Sequence, residues 1–358
     1  MTTSEARLRR LQKDIRTKGI DALYVGSMKN VRYLTGFTGS SGFALVTRDR
    51  GIFATDFRYT EQAAAEVRGY ELESERGPRI KAVKSLLKRL GIRKLGFETS
   101  ISYELYEALE ALPVQLLPQK GLVERMRLIK SAEEIATIHE AVRRAERAFL
   151  AIKPRIKAGV KEREIALRLE EQLKREGCRS IPFAIIVAAG RNAALPHAQP
   201  TEKKIQKGDF VIIDWGGEAD GYYSDMTRTL LMAGPSLPEK KKIYDLVNDA
   251  REKAIGSVRK GVRTRAIDAA ARDTIAKAGY GAYFGHGTGH GVGLDVHEAP
   301  RISWLRSEPV MEGMVFTVEP GIYIPELGGV RIEDMVAVEQ GKGRVLTSLG
   351  RGLEIIGS

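Results

Sequence analysis

The chain has 358 residues, 43% hydrophobic and 29% charged, with a formal charge of +12. This composition is that of a soluble globular protein, excludes disordered and fibrous architectures, and at this length calls for two cores rather than one. No apolar run approaches the roughly 18 residues of a membrane span and the start, MTTSEARLRRLQKD, lacks a signal-peptide core, so a cytoplasmic protein without a membrane partner is expected.

The basic balance raises the question of nucleic acid. The lysines and arginines, however, alternate with acids, as in RLEEQLKREG, and form no long block, which reads as solvated surface. Cys178 is the only cysteine; it allows no intramolecular disulfide and has no partner motif that would make it a nucleophile.

From Ala6 to Gln115, short apolar runs (DALYVG, GFALVT, GIFAT, RKLGFE) alternate with amphipathic segments such as RIKAVKSLLKRL, the pattern of strands and helices in an α/β domain. A boundary falls between Gly121 and Lys130, giving domains 1–124 and 125–358. Beyond it, Ser131 and Glu134 form a capping box ahead of Ile135, Ile138, Val142, Ala145 and Phe149, whose spacing predicts a helix; His139 lies beside that stripe as a structural residue.

The second domain repeats itself. Gly159-Val160, Arg163, Ile165 and Gly177 match Gly261-Val262, Arg265, Ile267 and Gly279 at a constant offset of 102 residues. A period this long excludes a solenoid and predicts a duplicated helix-helix-sheet unit, its halves facing across a pseudo-twofold axis with their strands in a shared sheet. A site at that junction would draw on both halves.

In the first half, DFVIIDWGGEADGYYSDMTRTLLM predicts a hairpin. A turn centred on Ala219-Asp220 sets Asp214 directly opposite Asp225; a turn at Asp220-Gly221 makes them diagonal neighbours. Either register puts both carboxylates on one face, where their repulsion asks for a cation between them. The second half offers MVFTVEPGIYI, with Glu319 before a Pro-Gly turn, and GGVRIEDMVAV, where Arg331 and Glu333 share one strand face and Val330 and Ile332 the other.

The stretch GHGTGHGVG, residues 285 to 293, holds five glycines in nine positions and two histidines, His286 and His290. Glycine at alternate positions costs about 1 kcal/mol each in a helix, so the HxxxH spacing is not a helical metal motif, and neither nucleotide-binding glycine pattern is present. The glycines instead predict unusual backbone conformations and close approach to a substrate or metal. Four of the five histidines, His197, His286, His290 and His297, fall in loop-like settings.

These segments, in this order, resemble the pita-bread metallopeptidases of the prolidase and aminopeptidase P branch, and YLTGFTGSSG and TDFRYTEQA resemble the smaller α/β domain that precedes the catalytic domain there. The resemblance implies a pita-bread fold of two α-α-β halves and a dinuclear exopeptidase that cleaves the Xaa-Pro bond at the N-terminus of dipeptides or short peptides through a metal-bridging hydroxide. It assigns Asp214, Asp225, His290, Glu319 and Glu333 to two divalent ions, with Mn2+ or Co2+ favoured over Zn2+ or Fe2+ by the oxygen-rich donor set. It places His197, His286 and His297 around the substrate, gives Arg331 a charge-stabilising or carboxylate-orienting role, and makes Glu319 the proton shuttle. A homodimer is also implied. The competing readings are a metal-free creatinase-like amidinohydrolase and an inactive pita-bread module that binds peptide or nucleic acid; loss of ligands marks such relatives, and this chain keeps all five.

Overall fold

A computed structural model describes residues 2–234 and 237–357. The chain divides into two compact units, Met1–Arg127 and Leu128–Ser358, three residues beyond the boundary read from the sequence. Among the described residues no helix is long and apolar enough to cross a membrane.

The first unit is a six-stranded sheet in the order Glu71–Glu75, Gly51–Asp56, Phe43–Thr47, Ala22–Val25, Lys94–Glu98, Gln115–Gln119. Its four inner strands are those the apolar runs predicted. The two edge strands were not foreseen, because Glu71–Glu75 is mostly exposed and charged and Gln115–Gln119 contains a proline, both of which suit an edge and hide a strand's periodicity.

The second unit is duplicated. Helices Ala132–Ile152 and Leu237–Ser257 both have 21 residues, and Glu162–Arg175 and Thr264–Lys277 both have 14. The first helix starts at the Ser131/Glu134 capping box, and Gly177 and Gly279, at φ 93° and 89°, stop the second helix of each pair. The entry turns also match: the Gly159 and Gly261 amides donate to the carbonyls of Ile205 and Val310, each at 2.8 Å.

Each half then supplies three antiparallel strands in the same spatial order, Ile186–Ala189, Phe210–Trp215, Met226–Met232 in one and Gly289–Gly291, Val315–Val318, Asp334–Glu339 in the other. These do not form one shared sheet, as expected from the sequence, but separate sheets of four and five strands, with a two-stranded sheet from Gly321–Ile324 and Gly328–Arg331. The breaks lie at Glu319-Pro320 and Ile332-Glu333. No turn forms at Pro320; its missing N–H ends the ladder and the chain passes from the five-stranded sheet into the two-stranded one.

Two apolar cores hold the halves. One gathers Ile138, Val142, Leu169, Val211 and Trp215, with Trp215 stacked on Phe149 at 4.6 Å and its indole N–H donated to the Ala145 carbonyl. The other gathers Tyr244, Val247, Ile267, Phe316 and Val330. Between the strands and the C-terminal segment sits a buried ion cluster: Asp334, fully inaccessible, accepts from Arg228 at 2.8 Å, Arg251 at 2.5 Å and Arg351 at 2.9 Å. Removing its charge would leave three guanidiniums uncompensated, a loss of about 3–5 kcal/mol. Asp334→Asn is therefore expected to lower the thermal midpoint by about 10 °C in scanning calorimetry; an unchanged midpoint would show that the cluster adds nothing to stability.

Candidate metal centre

The duplication places two carboxylates at equivalent positions in each half. Asp214 lies near the end of the Phe210–Trp215 strand and Glu319 just past Val315–Val318; Asp225 immediately precedes Met226–Met232 and Glu333 immediately precedes Asp334–Glu339. The hairpin takes the second of the two registers open to it: Thr227 pairs with Asp214, Asp220 and Gly221 form the turn with positive φ at both, and Asp225 is the diagonal neighbour.

His290 is the middle residue of Gly289–Gly291, a short strand and not a loop. The glycines around it serve a purpose other than the one expected. None of the five has a positive φ. A Cβ on Gly289 would lie 1.9 Å from the Thr317 carbonyl oxygen, and one on Gly291 would lie 2.0 Å from that of Ala299. What approaches so closely is neighbouring backbone, so these glycines seat His290 between two strands, while Gly287 and Gly289 also line the cavity.

Ligand atoms of Asp214, Asp225 and Glu333 lie within 4.8 Å of one another, as do those of His290, Glu319 and Glu333. His297 joins Asp225 and His290 within the same limit, its ring 4.3 Å from that of His290. The five expected donors thus come together from both halves, on the wall of a cavity of about 670 Å³ that is also lined by His197, His286, His297 and Arg331.

Hydrogen bonds fix Glu333, Asp214 and Glu319. Thr227 Oγ1 donates to Glu333 Oε2 at 2.7 Å and accepts from Arg331 Nε at 3.1 Å. Arg331 Nη2 donates to Asp214 Oδ2 at 2.6 Å, leaving Oδ1 buried without a hydrogen-bond partner. Thr317 Oγ1 donates to Glu319 at 3.2 Å and accepts from the His290 amide. Arg331 also donates through Nη1 to the Pro196 carbonyl and to Tyr323 Oη, so this guanidinium is engaged on every side and orients Asp214 from within the protein.

His286 does not face the carboxylates. Its Nδ1–H donates to the Gly287 carbonyl at 2.8 Å, which leaves Nε2 to accept from Tyr323 Oη at 2.9 Å. Burial holds this imidazole near a pKa of about 4, so it stays neutral. His197 is exposed at the cavity, and the Pro196 carbonyl before it accepts from Arg331 Nη1. Burial, reinforced by Arg301, holds His297 neutral as well.

The electrostatics favour a cation. Burial and the neighbouring Glu333, Asp214 and Glu319 push Asp225 well above the usual carboxylate range; burial, Glu319 and Asp214 do the same to Glu333; and burial pushes Glu319 up to about 7 against the pull of Arg331. Burial and His297 depress His290 to about 3. Its Nδ1–H donates to the Gly291 carbonyl, so the Nε2 lone pair faces Asp225 at 3.5 Å and Glu319 at 3.4 Å. A lone pair aimed at two carboxylates, beside an orphaned carboxylate oxygen, is unfavourable unless a positive ion lies among them. The residues fit divalent metal.

Some contributors escaped the sequence reading. Thr227 and Thr317 each sit two residues from an expected acid, on the same strand face, a signal the period of two carried. Tyr323 and Arg301 carried none. Arg301 is exposed on the cavity wall with no hydrogen-bond or ion-pair partner among the described residues.

Fold and donor set together define a pita-bread metallopeptidase. Residues 136–340 match metallopeptidase family M24 and residues 7–129 match the creatinase/prolidase N-terminal domain. The Xaa-Pro dipeptidase of Pyrococcus horikoshii is 38% identical over 339 residues, 93% of this chain and 94% of its own. Among solved structures, the Xaa-Pro dipeptidase from Bacillus anthracis is 43% identical with a TM-score of 0.95, covering 99% of this chain and 100% of that one. The X-Pro aminopeptidase from Thermotoga maritima is 35% identical with a TM-score of 0.88, covering 98% and 99%. The chain belongs to metallopeptidase family M24.

Binding of an ion to the folded state alone raises stability by about 2.7 kcal/mol at a hundredfold excess over its Kd. Adding Mn2+ to chelator-treated protein is expected to raise the thermal midpoint by several degrees, and no shift with any of Mn2+, Co2+ or Zn2+ would contradict the reading of the donor cluster.

Proposed function

We propose that this enzyme hydrolyses the Xaa-Pro bond of dipeptides, using two divalent ions held by Asp214, Asp225, His290, Glu319 and Glu333. The observation that carries this reading is the convergence of four carboxylates and one neutral imidazole from both halves of a duplicated fold onto a single cavity. Asp214, Asp225 and Glu333 would hold one ion and His290, Glu319 and Glu333 the other, with Asp225 and Glu333 at equivalent positions in the two halves. Oxygen-rich ligation with one imidazole favours Mn2+ or Co2+.

When bound, such ions supply Lewis acidity and an acidified water near neutral pH. The chain's residues do the rest. Glu319 takes a proton from the attacking water and delivers it to the leaving nitrogen. That delivery matters for proline, whose tertiary amide nitrogen leaves only once protonated. His297 and His197 donate hydrogen bonds at the scissile carbonyl as negative charge develops there, and Arg331 holds Asp214 in place. Glu319→Gln is expected to lose about 10²–10⁴ in kcat; full activity with both metals retained, measured by elemental analysis, would remove Glu319 from proton transfer.

Arg301 supports the choice of dipeptides over longer chains. An exposed guanidinium without a protein partner on the cavity wall suits the free carboxylate of a dipeptide's proline. Comparing Ala-Pro with Ala-Pro-Ala tests this: the dipeptide is expected to have the higher kcat/KM, and Arg301→Ala to raise KM for the dipeptide by about 10–100-fold. Equal turnover of both substrates, unaffected by the substitution, would identify an aminopeptidase instead.

A further inference from the structure

Arg272 stands behind the cavity wall, on the Thr264–Lys277 helix, and does not line the cavity. Its hydrogen bonds all converge on one segment of chain. Nε and Nη2 donate to the carboxylate of Asp268, one helical turn earlier, at 2.9 and 3.0 Å. Nη1 donates to the Phe284 carbonyl at 2.9 Å and Nη2 to the His286 carbonyl at 2.7 Å. The paired Asp268 reaches the same segment, accepting from the Thr288 amide at 3.2 Å and the Thr288 hydroxyl at 2.8 Å. The clamp therefore grips residues 284, 286 and 288 in succession.

Two features make the clamp more than a packing contact. Gly285 has open space where a side chain would stand, so between the buried Phe284 and His286 the backbone has no side-chain packing of its own and hydrogen bonds set its path. What the segment carries leads directly into the site. The His286 ring accepts from Tyr323, Tyr323 accepts from Arg331, and Arg331 donates to Asp214. The Thr288 carbonyl accepts the Glu319 amide at 2.8 Å. The guanidinium is covered by two rings, Phe284 at 4.3 Å and Trp304 at 4.1 Å. Trp304 is 40% exposed and belongs to the stretch whose neighbours Ser303, Leu305 and Arg306 form the cavity rim.

We propose that Arg272 is a positioning residue for the hydrolysis, holding His286 and, through Asp268 and Thr288, Glu319 in their working places while Trp304 keeps water off its guanidinium. The inference rests on the hydrolase reading above. Placement errors of an ångström cost about a hundredfold in rate, so a clamp of this kind acts on kcat. Lysine at this position keeps the charge beside Asp268 but cannot span both carbonyls as the guanidinium fork does.

The test uses the metal-loaded enzyme and Ala-Pro, with His286→Ala as the reference. Arg272→Lys is expected to lower kcat by about tenfold or more with KM within about threefold of wild type, and with metal content and thermal midpoint unchanged. Because Arg272 acts in part through His286, the double variant is expected to lose clearly less than the product of the two single losses. Wild-type kcat in Arg272→Lys, or losses that multiply in the double variant, would overturn the proposal. Should Arg272→Lys fail to fold, Trp304→Leu at the exposed rim decides: a fall in kcat of about threefold supports the clamp, and wild-type kcat rejects it. Wild-type protein inactive on every Xaa-Pro substrate would instead reject the hydrolase reading, a result separate from any of these.

Discussion

Four carboxylates brought within a few ångströms of one another in a buried wall repel, and this repulsion is the constraint around which the catalytic unit is built. Burial forbids their solvation, and a single guanidinium, Arg331, compensates only in part because it is bound directly to Asp214. The hydroxyls of Thr227 and Thr317 take up some of the remaining lone pairs, yet Asp214 Oδ1 and the His290 Nε2 lone pair stay aimed into the cluster. Such an arrangement is held only by a fold rigid enough to impose it and is relieved by cations or by protonation of the acids.

The duplicated architecture supplies that rigidity. Each half ends two adjacent strands at the same point and so delivers a pair of acids to a common centre, one from within or beside the strand and one from the residue that opens the next. Two helix pairs of equal length back the strands, each over an apolar core that takes strand residues from both halves. Directly behind Glu333, the Asp334 cluster ties the strand to the C-terminal segment, since Arg228 donates both to Asp334 and to the Glu333 carbonyl. The metal-ligand geometry is therefore linked to the deepest electrostatic contact of the unit.

Much of this was legible in the sequence because it rests on local periodicity. The acids at 214, 225, 319 and 333 interrupt apolar strands, the 102-residue offset marks the duplication, and the capping box fixes the Ser131 helix start. The glycine-rich stretch was legible as non-helical but not in its purpose: close approach can be read from glycine, whereas the identity of the approaching atoms, here the carbonyls of Thr317 and Ala299, depends on tertiary contacts. The same limit hid Tyr323, Arg301 and Arg272, which owe their importance to where the tertiary fold places them and interrupt no pattern. His290 in a strand, and sheets that stop at Pro320 and Glu333 where one continuous sheet was expected, have the same origin in long-range pairing.

The central claim is that this wall is built for two ions. Anomalous diffraction from crystals grown with Mn2+ measures it directly. Two peaks about 3.5 Å apart are expected, with Glu333 touching both and Asp214, Asp225, His290 and Glu319 completing their shells. A single peak, none, or ions bound by other residues would contradict the account.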